Sequence, residues 1–115
     1  MKLVFQHKEL AAGRWNELSL AEQLANVGSE VSRCIKWKGR NEELSRQAAD
    51  RALELLWLTK ADPKHRGPRL RELCRLYEVV VNDLYGFHDF KPDLPRLESY
   101  FLAFAALANR QRKQG

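Results

Sequence analysis

The residues with the greatest chemical potential in this 115-residue chain are three histidines and two cysteines. His7, His65 and His88 lie in separate segments, and neither Cys-x-x-Cys nor His-Glu-x-x-His occurs, whereas a bound metal needs several ligands converging at such spacings. No metal site is expected. Nor is a cofactor, because a glycine-rich phosphate loop and a nucleophile elbow are both missing from the sequence. Cys34 and Cys74 fall inside helical patterns with no short-range partner, so they read as small core residues of a reducing, cytoplasmic compartment. His88-Asp89 beside Lys91 and Asp93 carries groups suited to acid–base work, but a polar loop capping a helix accounts for it. Glu42-Glu43 is a carboxylate pair at a helix start, where the helix dipole favours negative charge. Small ribonucleases of the HEPN type place an arginine a few residues before a histidine on a helix, and none of these histidines has one there. The chain reads as a binding or assembly protein with no catalytic residue.

What positions side chains here is helical. At 44% apolar and 30% charged residues the chain has the composition of a folded domain, and its length suits one core. Ser19-Leu20-Ala21-Glu22 is a capping box, after which Leu20, Leu24, Val27, Val31 and Cys34 follow at steps of four and three until Gly39. Ala21, Ala25, Gly28 and Ser32 form a second stripe of small side chains, which predicts a neighbour on each of two sides. A second helix starts near Asn41 and ends at Asp62-Pro63; its apolar residues cover nearly the whole circumference by Leu55-Leu56-Trp57-Leu58. It is either the central helix or partly covered by another subunit. A third runs from Pro68 to Gly86, and a fourth follows Asp93 with Leu94, Leu97, Phe101, Phe104 and Ala108 on one face. The expected fold is all-α: an antiparallel up-down-up-down four-helix bundle over 1–115, with helices at about 20–38, 42–60, 68–85 and 94–112. A short N-terminal extension precedes it: Leu3–Ala12 has the makings of an extra helix, and Trp15 of a core lid. The opening residues turn polar too early for a signal peptide, and no apolar run approaches the length of a membrane span.

That topology gathers charge. The formal net charge is +5, but the end of the second helix, the start of the third and the end of the fourth would meet at one end of the bundle. There Lys60, Lys64, Arg66, Arg69, Arg71, Arg110, Arg112 and Lys113 face only Asp62 and Glu72, a balance of +6 that leaves the remainder near −1. A basic end of this kind can take RNA or DNA phosphates without sequence preference. A second candidate surface is Trp57 and Leu58, where surplus apolar area would dock a partner or another subunit.

Leu20 to Val31, followed after a glycine-containing turn by Ala49 to Leu55, resembles the middle of the S23-like four-helix-bundle family. That family includes proteins encoded by intervening sequences in ribosomal RNA genes and the accessory variability determinant of diversity-generating retroelements. The resemblance covers about a third of the chain. It implies a ring-like homo-oligomer, often of five subunits, whose basic surface in the retroelement branch engages a reverse transcriptase and RNA. Nothing catalytic carries over.

Overall fold

A computed structural model of the chain describes residues 13–86 and 91–114. Within them lie a 3-10 turn at Arg14–Glu17, helix α1 (Leu20–Trp37), helix α2 (Glu42–Ala61), a second 3-10 turn at Pro63–His65, helix α3 (Pro68–Tyr85) and helix α4 (Leu94–Gln114). The described residues contain four α-helices and no strand, so the all-α four-helix reading holds. Leu3–Ala12, His7 and His88-Asp89, singled out from the sequence, lie outside the described residues.

The helix ends follow from local chemistry. The Glu22 backbone N–H donates to Ser19 Oγ at 3.1 Å while the Ser19 N–H donates to Glu22 Oε1 at 2.9 Å, completing the capping box of α1. Asn41 Oδ1 accepts from the Leu44 N–H at 3.1 Å to cap α2, and Asp93 Oδ1 accepts from the Arg96 N–H at 3.1 Å at the start of α4. Gly86, at φ 74°, closes α3 in the left-handed conformation that side chains resist. Lys38 reaches across to donate to the Leu84 carbonyl at 3.3 Å, placing a cation where the α3 dipole is negative.

Contacts at both ends fix how neighbours run. Gln23 meets Asp62 near one end of α1 and α2, and Cys34 meets Ser45 near the other, so these helices are antiparallel. Trp57 lies edge-on to Tyr77 and Asp50 accepts from the Tyr85 hydroxyl, so α2 and α3 are antiparallel as well. The small-residue stripe of α1 meets α4: a Cβ built on Gly28 would sit 2.5 Å from Phe101 Cβ, so only glycine permits this approach. The two-neighbour expectation for α1 is therefore met by α2 and α4.

Helix α2 is the central one, with Ala48, Ala49, Ala52, Leu53, Leu55, Leu56 and Leu58 all buried. This corrects half of the apolar docking pair. Leu58 is only 9% exposed and belongs to the core, because α1, α3 and the Trp15 turn already enclose this helix. Trp57 remains 44% exposed, with the Lys60 ammonium over its ring and over that of Tyr77. Surplus apolar surface lies instead on α4, where Tyr100 and Leu102 are 44% and 57% exposed.

Gly28→Ala should therefore force α1 and α4 apart, costing about 1–3 kcal/mol as overpacking at a close contact does. Urea denaturation reads this directly, and an unchanged or raised midpoint would contradict the close approach.

The basic end and its buried polar network

One turn into α1, on the stripe that continues through Val27 and Val31, stands a fully buried glutamine. Gln23 Nε2 donates to the Trp15 carbonyl at 3.0 Å and to Asp62 Oδ2 at 2.8 Å. Both acceptors fix the amide orientation, so Oε1 faces His65 Nε2, 2.6 Å away. Oε1 can only accept, and the proton therefore resides on His65 Nε2. The other ring nitrogen, Nδ1, lies 3.4 Å from an Arg69 guanidinium nitrogen, which can only donate. His65 is thus held as one neutral tautomer with both nitrogens occupied and no exposed surface.

The network extends outward from there. Trp15 Nε1 donates to Thr59 Oγ1 at 3.0 Å, and Thr59 donates to the Leu55 carbonyl at 2.9 Å. Asp62 Oδ1 accepts from the Lys64 backbone N–H at 3.1 Å, and its Oδ2 takes the Lys64 ammonium, which also donates to the Asn16 carbonyl at 2.8 Å. Burial pushes the Asp62 carboxyl up, but hydrogen bonds from Lys64 and Gln23 outweigh it and hold its pKa below 3.8. Burial pushes His65 below 6.5; the Asp62 carboxylate opposes this, and Lys64 and Arg69 reinforce it. On the flank of α1, the Glu22 carboxyl is lowered first by the Ser19 backbone N–H, with Arg112 contributing a favourable charge.

The eight basic residues assigned to this end divide by what they touch. Lys60 covers two aromatic rings, Lys64 is tied to Asp62, Arg69 faces His65, and Arg112 donates to Asn109 at 3.1 Å. Arg66, Arg71, Arg110 and Lys113 are exposed and have no ion pair among the described residues. Gln23 touches the Pro63–His65 turn while its neighbour Glu22 feels Arg112, so the two sequence clusters flank the first turn of α1. His65 stands inside the cluster as expected, but buried beneath it. Gln23, Asp62, Thr59 and Trp15 were not anticipated as a unit; the usable signal was a polar Gln23 four and eight residues before Val27 and Val31.

What this arrangement can do is hold cations in place around a rigid support. No family model matches the chain, and no curated protein or solved structure matches it. Among the described residues no three His, Cys, Asp or Glu side chains group as metal ligands would, and no helix is long and apolar enough to cross a membrane.

Replacing Gln23 by leucine keeps the volume and strips His65 Nε2, Asp62 and the Trp15 carbonyl of a partner each. A loss of roughly 2–4 kcal/mol in urea denaturation is expected, given about 1–3 kcal/mol per orphaned buried polar group. The pH dependence has a definite sign. Because His65 is lowered when folded, its neutral state supports the fold fully above 6.5, and stability falls as pH drops from there toward the folded pKa. Asp62 adds a second loss at lower pH, beginning at 3.8 and continuing through its own depressed folded pKa. Urea midpoints between pH 7.5 and 5 test the first loss: His65→Gln should flatten that limb, and an identical slope in the variant would remove His65 as its source.

Proposed function

We propose that this chain is a non-enzymatic, homo-oligomeric accessory protein that binds RNA or DNA, or an enzyme carrying it, through the basic end of the bundle. One observation carries the reading. Arg66, Arg71, Arg110 and Lys113 stand exposed and without ion pairs among the described residues, on segments that flank the first turn of α1 and its buried hydrogen-bond network. Cations left unpaired this way break no internal ion pair on meeting phosphate, and phosphate contacts of this type are independent of sequence. Two free thiols, Cys34 buried against Ser45, suit a reducing cytoplasmic setting.

The self-association in this reading draws on the resemblance to the intervening-sequence and retroelement bundles, and on the apolar exposure of α4 at Leu102, with Ala103 and Ala106 beside it. Light scattering at on the order of tens of micromolar protein checks it, and a monomer there would remove this half of the proposal.

Fluorescence anisotropy with generic RNA and duplex DNA at two salt concentrations tests the other half. Four phosphate contacts give a slope of log affinity against log salt of about −3.6 on duplex DNA. Charge reversal by Arg66→Glu with Arg110→Glu should weaken binding more than about tenfold, whereas Arg40→Glu, near the junction of α1 and α2, should leave it unchanged. Lack of binding at low salt would end this reading.

A further inference from the structure

Helices α3 and α4 barely touch each other. Between them runs a groove of about 380 Å³, lined from Glu72 and Tyr100 at one end to Asp83 and Asp93 at the other. From Glu72 to Asp83 is a rise of about 16 Å on a helix, three turns. Its floor is apolar, from Leu76 and Val79 of α3 and Leu97 and Tyr100 of α4. Its charged lining is balanced, with Glu72, Asp83 and Asp93 against Arg75, Lys91 and Arg96.

One of these groups is out of place. Asp83 is only 5% exposed, and among the described residues its carboxylate has one hydrogen bond, from the Asn82 side-chain amide to Oδ1 at 2.9 Å. Arg75 pairs with Glu72 at 3.5 Å, and neither Lys91 nor Arg96 pairs with Asp83. A carboxylate this buried ordinarily has a cation or several donors, since leaving charge uncompensated is costly. Oδ2 has none. An elongated apolar trough with a carboxylate in its lining calls for an occupant with an apolar face and a single cation set into it.

We infer that the α3–α4 groove is a docking site for an amphipathic helix of a partner protein, which lays apolar side chains on Leu76, Val79, Leu97 and Tyr100 and sets a lysine or arginine on Asp83. Seating one helix between two others uses the packing already present on the α1 side of α4, and an apolar stripe in a groove is a general mode of helix recognition. The remaining rim charges are of both signs, so they favour a partner helix with mixed rather than uniformly basic flanks. This inference does not rest on nucleic-acid binding at the basic end.

The probe is a synthetic helical peptide of about four turns with leucines along one stripe and a single central lysine, compared with the same peptide carrying norleucine for that lysine. Backbone amide shifts are followed by NMR on the full chain. The lysine peptide is expected to give saturable shifts at 72–83 and 93–100. Norleucine, or Asp83→Asn in the protein, should weaken it about tenfold, the loss of one charge-assisted hydrogen bond. Asp83→Asn retains the acceptor for Asn82 and should melt no lower than the natural protein, which separates a binding role from a structural one. The inference is overturned if the two peptides bind alike, if shifts fall outside the groove, or if Asp83→Asn melts markedly lower. It is equally overturned if the same amides shift with protein concentration alone, since a second copy would then be the occupant.

Discussion

The orientation of one buried amide governs how this chain is assembled. Gln23 has no access to water, so its two donors and its acceptor must all be met from within the protein. They are met by three segments that converge on it: the Trp15 turn ahead of α1, Asp62 at the end of α2, and His65 in the turn that leads to α3, which are also tied to one another through Trp15–Thr59 and through Lys64. Rotation of α1 by a fraction of a turn would break all three at once. The register of α1 against α2, the path of the chain before α1 and the departure of α3 thus all pass through this one side chain. This is polar specificity at work: the network adds modestly to net stability, while its loss is expensive, because orphaned groups cost more than formed bonds contribute.

The opposite side of α1 is governed by a different constraint. There Gly28 has no side chain, and Phe101 fills the space a Cβ would need. Burial of Phe101, Leu97 and Ala108 draws α4 onto α1 and leaves it only loosely associated with α3. Helix α1 therefore has one polar, orientation-fixing flank and one apolar, close-packed flank. The seam between α3 and α4 is the open one, because α4 makes its contacts chiefly with α1. An open seam and a fixed basic end are two products of the same central helix pair.

Much of this was readable in the sequence, for identifiable reasons. The capping box at Ser19, the cap at Asn41, Pro68 in a first turn and Gly86 at a helix end are local signals whose chemistry involves residues within a few positions. The small-residue stripe through Gly28 encoded a second neighbour because absence of side chain is useful only against another helix. The basic cluster was visible as a count. The Gln23 network was not, because its partners lie 39 and 42 residues away and a glutamine in a helix usually faces water. Assigning Leu58 to a docking face failed for a related reason. An all-round apolar helix can be covered by its own chain or by another, and periodicity does not distinguish the two.

The same ambiguity explains why surplus surface emerged on α4 and not on α2. Tyr100 through Ala108 contains no charged residue, so this stretch of α4 is apolar around its whole circumference, yet only Phe101 and Ala108 within it are buried. The sequence leaves α2 either central or partly covered by another subunit, its apolar run being rich in large aliphatic side chains. What decides coverage is position: α2 has α1, α3 and the Trp15 turn around it, whereas α4 leans chiefly on α1. A circumferentially apolar helix at the edge of a bundle is unfavourable for an isolated chain, because each exposed aliphatic side chain forgoes about 1.5–3 kcal/mol of available burial. Leu102 at 57% exposure forgoes much of that, which is the physical reason to look on α4, and along the open seam beside it, for the surfaces this protein presents to others.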